Sequence, residues 1–139
     1  MEEGIMKVKE IMSETIVTVE LDDSLKALKE IFDKVKFHHL LVVESDILYG
    51  VISDRDLLKA LSPNIGTISE TESDLATLHK RAHQIMTRRP ITLPPNAGID
   101  EAIEIFNKHR ISCIPIVDQK RKLIGIISWR DILKAVRER

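Results

Sequence analysis

Two short stretches carry the same polar residues at the same spacing, Ser53-Asp54-Arg55-Asp56 and Ser128-Trp129-Arg130-Asp131. Each follows a glycine and two apolar residues, Gly50-Val51-Ile52 and Gly125-Ile126-Ile127. A serine hydroxyl donates and accepts hydrogen bonds, and a carboxylate accepts several. Where such a serine ends a strand and opens a helix, Ser-x-x-Asp comes close to a capping box, with Asp in place of Glu or Gln. Loss of that cap costs about 1 kcal/mol. The same junction presents free backbone N–H groups and the positive end of a helix dipole, which suits a phosphate. The serine can then donate to a phosphate oxygen, and a carboxylate one turn in can accept from both hydroxyls of a ribose. Spacing alone leaves the cap and the ligand contact both open.

The junctions belong to a longer internal repeat. "GVISDRDLLKAL" and "GIISWRDILKAV" agree at 8 of 12 positions. Upstream, Ile11-Met12 aligns with Ile85-Met86, Thr18 with Thr92 and Ile31-Phe32 with Ile105-Phe106. The offset is 74 up to Val43 and Val117 and 75 from Gly50 and Gly125, so one residue is inserted in the turn "DQKRKL". A turn absorbs that insertion at little cost. "TIVTV" and "PITL" read as short β-branched strands. "DSLKALKEIFDKV" sets Leu25, Leu28, Ile31, Phe32 and Val35 on one helical face, with Asp23 or Ser24 as N-cap. "HHLLVV" and "CIPIV" are continuous apolar runs and read as buried strands. A third strand and a second helix follow, so each copy is β-α-β-β-α. One such unit of about 60 residues has a marginal core, and two packed sheet to sheet would cover each other. The fold class is therefore α/β (α+β), as tandem βαββα repeats with two small sheets. The boundaries are 1–62 for the first repeat, 63–82 for a linker helix and 83–139 for the second repeat. In the linker, Ser69-x-x-Glu72 resembles a capping box ahead of Leu75, Leu78 and Ala82.

Composition narrows the function classes. At 43% hydrophobic and 31% charged, the chain of 139 residues is globular. A net charge of −1 and the lack of a Lys/Arg-rich tract argue against nucleic acid as a partner. No apolar stretch approaches the ~20 residues of a membrane span, and "MEEGIMKVKE" has no signal-peptide core, so a cytoplasmic location is expected. The single cysteine, Cys113, lies in the apolar run "ISCIPIV" and reads as a buried structural thiol. Adjacent His38 and His39 point to opposite faces of a strand, which disfavours a shared metal. His79 and His83 have zinc-binding helical spacing but lack further ligands nearby. Neither a Walker motif nor a nucleophile triad stands out, so no enzyme activity is expected.

The motifs and their twice-repeated order resemble a pair of cystathionine-β-synthase (CBS) domains, a Bateman module. The resemblance rests on "VKEIM" and "AHQIM" ahead of each first strand, "IPIVD" in the second copy and Gly-h-h-Ser-x-x-Asp in both, where h is apolar. It covers nearly the whole chain and is similar in layout to small stand-alone CBS-pair proteins. The first copy departs from it with Leu41, where the family often has the proline seen at Pro115.

The resemblance implies a regulatory module that binds AMP, ADP, ATP or another adenosyl ligand in the cleft between repeats. Asp56 and Asp131 would take the ribose, and Ser53 and Ser128 would approach the phosphate. Thr15, Ile16 and Val17, or Arg89, Pro90 and Ile91, would flank the base. Lys36, His38 and His39 would face the phosphates, as would Arg110, Ser112 and Cys113 in the second copy. Arg55 and Arg130 are further phosphate candidates. The Asp54/Trp129 difference predicts unequal sites, the Ser128/Asp131 site being the better occupied. A homodimer is expected, signalling through oligomerisation or a separate effector protein. The alternative is a non-catalytic dimerisation or interaction scaffold without a working ligand site.

Overall fold

The computed structural model describes residues 6–138. The order of elements is α1 (Val8–Ile11), β1 (Thr18–Glu20), α2 (Leu25–Lys34), β2 (His39–Glu44), β3 (Ile47–Ser53), α3 (Asp54–Ala60), α4 (Glu72–Ala76), a 3-10 turn (Thr77–His79), α5 (Ala82–Ile85), β4 (Thr87–Arg88), α6 (Ile99–Lys108), β5 (Cys113–Val117), β6 (Leu123–Ser128) and α7 (Trp129–Arg137). The fold is mixed α/β with two small sheets, one ordered β1-β2-β3-β4 and one formed by β5 and β6.

The chain forms two compact units that do not follow the repeats in register. The first holds Val17–Ser45 and Tyr49–Arg89; the second holds the described residues up to Ile16, Asp46–Leu48 and everything from Pro90 onward. The start of the first repeat thus groups with the rest of the second, and the start of the second groups with the rest of the first. Val8 and Ala82, which align in the repeat, are both fully buried, each in the core of the other copy's unit. Residues 63–82 all lie in the first unit, and Ala82 is part of its core.

In the first unit, Ser24 rather than Asp23 caps α2, accepting from Ala27 N–H at 3.2 Å. The Asp23 carboxylate instead accepts from Glu20 N–H at 2.8 Å and closes the turn behind β1. Leu25 and Leu28 bury the inner face of the helix against Leu40, Val42 and Ile52. β1 runs parallel to β2, with Thr18 opposite Leu41, and β4 runs antiparallel to β3, with Gly50 opposite Arg88. Ser45 and Asp46 join β2 to β3 with φ of 51° and 67°, the left-handed pair that a two-residue hairpin turn requires.

The second unit repeats this order with weaker outer strands. β5 and β6 are antiparallel, while Leu93 and Ser13 add single bridges to Ile116 and Ile126. The expected strand "PITL" is reduced to its Leu93 bridge. Pro90, Pro94 and Pro95 surround it and have no N–H to extend a ladder. All of β5 is buried, as the apolar run predicted.

The linker differs from its sequence reading. Its cap is Thr71 with Asp74, two residues beyond the expected Ser69 and Glu72. Asp74 N–H donates to Thr71 Oγ1 at 3.3 Å, and Thr71 N–H donates to Asp74 Oδ2 at 2.8 Å. Ser62 Oγ also donates to Asp74 Oδ1 at 2.6 Å, which favours that register. The expected single helix breaks at Lys80, which is extended. There the chain pairs with the turn before α2: Leu25 N–H donates to Lys80 O at 2.9 Å, and Ala82 N–H to Asp23 O at 2.8 Å. His79 and His83 consequently sit on separate elements, without a shared helical face.

Candidate functional site

Each unit holds one Ser-x-Arg-Asp strand-to-helix junction. Ser53 and Ser128 have extended backbones, and α3 and α7 begin at the next residue. In the first junction, Asp56 N–H donates to Ser53 Oγ at 3.0 Å and Ser53 N–H donates to Asp56 Oδ2 at 2.8 Å. In the second, Asp131 N–H donates to Ser128 Oγ at 3.4 Å and Ser128 N–H donates to Asp131 Oδ2 at 2.8 Å. The capping box is therefore built in both copies, each satisfying helix N–H groups that would otherwise lack a partner. The Ser N–H bonds of both caps go to Oδ2 of the aspartate. Arg55 and Arg130 are exposed beside these caps.

The glycines of the repeated phrase serve the interleaving of the chain. A Cβ at Gly50 would lie 2.5 Å from Met86 Sδ and 2.9 Å from Thr87 O. A Cβ at Gly125 would lie 2.5 Å from Met12 Sδ and 3.1 Å from Ser13 O. Each Ile-Met motif thus packs over the glycine of the other copy.

What surrounds the two junctions differs. His38 lies just before β2, and its Nδ1 stands 3.1 Å from Asp54 Oδ2. Asp54 N–H also donates to His38 O at 3.0 Å. That histidine contact holds the Asp54 carboxyl below its usual range. Burial pushes the His39 imidazole below its ordinary value, and the Asp54 charge opposes the shift. In the second unit, Trp129 stands where Asp54 does and packs on Phe106, ring centroids 5.0 Å apart and planes tilted by 33°. Cys113 takes the place of His39. Burial pushes its thiol up to about 12, so it stays neutral and unreactive.

The expected base-flanking triplets are divided by the two points where the chain passes between units. Thr15, Ile16, Pro90 and Ile91 group with Ser128, Arg130 and Asp131. Val17 and Arg89 group with Ser53, Arg55, Asp56, His38 and His39. Val17 O accepts from Leu41 N–H at 3.0 Å, and Thr15 N–H donates to Ser13 Oγ at 3.3 Å. Arg89 is exposed and left-handed, with φ of 49°, an uncommon conformation for a residue with a side chain. Neither the His38–Asp54 contact across sixteen residues nor the Phe106–Trp129 packing follows from local residue spacing. The Asp54/Trp129 substitution within the repeat was the only signal for either.

Two open cavities lie elsewhere. One, of about 410 Å³, is lined in part by Glu20, Asp22, Glu44, Tyr49, His83 and Arg88. The other, of about 400 Å³, is lined in part by Thr92, Pro94, Asn96, Val117 and Asp118. Neither is lined by a residue of the Ser-x-Arg-Asp junctions. Among the described residues, no group of three or more His, Cys, Asp or Glu is placed to hold a metal ion. No helix among them is long and apolar enough to cross a membrane.

Two tandem βαββα repeats, each with a Ser-capped second helix, define a class of small α/β repeat modules. Within that class the family model for the CBS domain matches residues 8–63 and 82–138, and the chain belongs to the CBS domain family. It is 32% identical over 128 residues to a CBS domain-containing protein of Dictyostelium discoideum, covering 91% of this chain and 88% of that protein. It is 30% identical to the L-aspartate semialdehyde sulfurtransferase of Methanosarcina acetivorans, matching 99% of this chain but spanning only 25% of the enzyme. Among solved structures, the CBS domain pair of protein MJ0100, in complex with 5-methylthioadenosine and S-adenosyl-L-methionine, superposes with a TM-score of 0.78 at 29% identity. That match covers 96% of this chain and 98% of the other.

Proposed function

We infer that the protein is a non-catalytic regulatory module that binds an adenosine nucleotide, of the AMP, ADP or ATP type, at its Ser-x-Arg-Asp junctions. The observation that carries this reading is the same Ser/Asp pair built at both strand-to-helix junctions of a CBS pair. The similar MJ0100 pair, which holds two adenosyl compounds, supports it. In each half-site the aspartate Oδ1 accepts from the ribose hydroxyls while Oδ2 keeps the cap. The serine and the adjacent arginine face the phosphate, and the residues from Thr15 to Val17 and from Arg89 to Ile91 supply walls for the base. The Ser128/Asp131 half-site is the stronger of the two, because Asp54 opposes a phosphate in the first. Binding favours one arrangement of the module over another and so shifts its population.

The output is a homodimer or an effector protein. Leu58 on α3 is 73% exposed, and Leu133 and Val136 on α7 are 64% and 50% exposed. These aligned helix faces favour pairing with a second copy. Light scattering coupled to size exclusion reads that state directly, with and without nucleotide.

Thermal melting against adenosine, AMP, ADP and ATP tests the ligand. A compound that binds only the folded protein raises its melting temperature by mass action. A shift is expected with at least one of them, and none at millimolar concentration contradicts the reading. The second reading, an interaction scaffold, is favoured by the caps themselves: both junctions are satisfied structures without a ligand. It predicts a dimer whose melting ignores every adenosine compound.

A further inference from the structure

We propose that residues 6–16 form a latch, a segment that docks on the rest of the second unit and releases from it as one piece, and that a ligand at the Ser128/Asp131 half-site holds it closed. The proposal rests on the adenosine-binding reading above and names how that half-site is regulated.

The repeat shows the docking twice. Val8 N–H donates to Ala97 O at 2.8 Å, and the aligned Ala82 N–H donates to Asp23 O at 2.8 Å. Lys9 N–H donates to Pro95 O at 3.1 Å, and His83 N–H to Leu21 O at 3.0 Å. Ile99 N–H donates to Met6 O, and Leu25 N–H to Lys80 O, both at 2.9 Å. The backbone bonds that seat each segment on the opposite copy are thus matched pair by pair. The grip further along is not. After Met86 the second segment enters β4, where Thr87 and Arg88 pair with Val51 and Gly50. After Met12 the first segment makes an isolated bridge, Ser13 to Ile126. Ala82 and Met86 are both buried, whereas Val8 is buried and Met12 only half-buried. The first segment therefore has the shorter ladder and the thinner apolar cover.

Its hinge is also visible. Residues 14–17 belong to neither helix nor strand. Beyond them, Val17 O accepts from Leu41 N–H at 3.0 Å in the first unit, which anchors the chain there. Release of residues 6–16 can then leave β1 in place while it uncovers the core around Ala97, Ile127 and Ile132. Such local openings need less free energy than global unfolding. Thr15 and Ile16, which the binding reading makes a wall for the base, end the same segment. A ligand that touches them binds the docked state better than the released one, and so shifts the latch toward closed.

The test is amide hydrogen exchange, read by NMR on the full chain at the matched amides. Val8 and Lys9 should exchange about tenfold faster than Ala82 and His83, the worth of roughly one net hydrogen bond and part of a buried side chain. Because the paired bonds match in length, the difference reads opening. Ile126 N–H, on β6, donates to Ser13 O at 3.0 Å. It should exchange together with Val8 and Lys9, which fraying of the segment's start would not produce. Met12→Ala should speed all three and leave Ala82 and His83 unchanged. Whichever of adenosine, AMP, ADP and ATP raises the melting temperature should slow all three, in the wild type and in Asp56→Ala but not in Asp131→Ala. The proposal is overturned if Val8 and Lys9 exchange as slowly as Ala82 and His83, or if Ile126 does not follow them. It is also overturned if a compound that raises the melting temperature leaves the three rates unmoved, a result that keeps the binding reading intact. If no compound raises it, the binding reading fails and the proposal with it, so the two failures are told apart.

Discussion

After Ser53 comes a carboxylate held by a histidine; after Ser128 comes an indole packed on a phenylalanine. The caps on either side of this difference are the same, down to a Ser N–H to Asp Oδ2 distance of 2.8 Å in both. What the fold requires is thus kept in both copies, and what a ligand would meet is not. A repeated phrase can hold its structural task constant while one position within it changes the chemistry on offer.

The comparison breaks most readily at the glycines. Gly50→Ala and Gly125→Ala should each cost roughly 1–3 kcal/mol by overpacking. Gly50→Ala should be the worse, because its new Cβ would sit 2.9 Å from the backbone oxygen of Thr87, against 3.1 Å for Ser13 O at Gly125. Denaturant melts measure both. Met12→Ala should partly rescue Gly125→Ala and not Gly50→Ala, while Met86→Ala should do the reverse. Rescue within one repeat rather than across repeats would contradict the interleaved units.

The caps come next. Ser53→Ala and Ser128→Ala should each lower stability by about 1 kcal/mol, and by similar amounts. A cost confined to one of them would show that the two junctions are not structurally equivalent.

The smallest effect is that of pH, and it should belong to one copy alone. Burial lowers the His39 pKa from 6.5 in the folded chain, so the unfolded chain takes up the proton more readily. The stabilising contribution is complete above about 6.5 and is lost as pH falls through the lower folded value. Melting temperature should therefore fall on acidification in that window, and His39→Asn should flatten the slope. Replacing Cys113, which stays neutral throughout, should leave it as it was. An unchanged slope in His39→Asn would remove this histidine from the account.

Much of the fold was legible because it is written twice. The helix starts at Ser53 and Ser128, the inner face of α2 and the buried run of β5 all follow from residue type and period. The exchange of the Ile-Met segments was not legible. "VKEIM" and "AHQIM" fit either copy's core equally well as sequences, and only long-range packing decides which glycine each methionine covers. The linker misled for a related reason. Leu75, Leu78 and Ala82 have helical spacing, but the Ala82 N–H is claimed by Asp23 O at 2.8 Å, and that tertiary bond ends the helix. At the candidate site, the Ser/Asp pairs were readable from spacing. The use of His38 was not, since its partner lies sixteen residues away, on the next helix.

In the proposed function, adenosine nucleotides bind at the Ser-x-Arg-Asp junctions, and better at the second. Calorimetric titration of AMP into Asp56→Ala and Asp131→Ala tests it most directly. The account predicts that Asp131→Ala loses most of the wild-type heat and that Asp56→Ala keeps it. Heat lost in Asp56→Ala and unchanged in Asp131→Ala would contradict it.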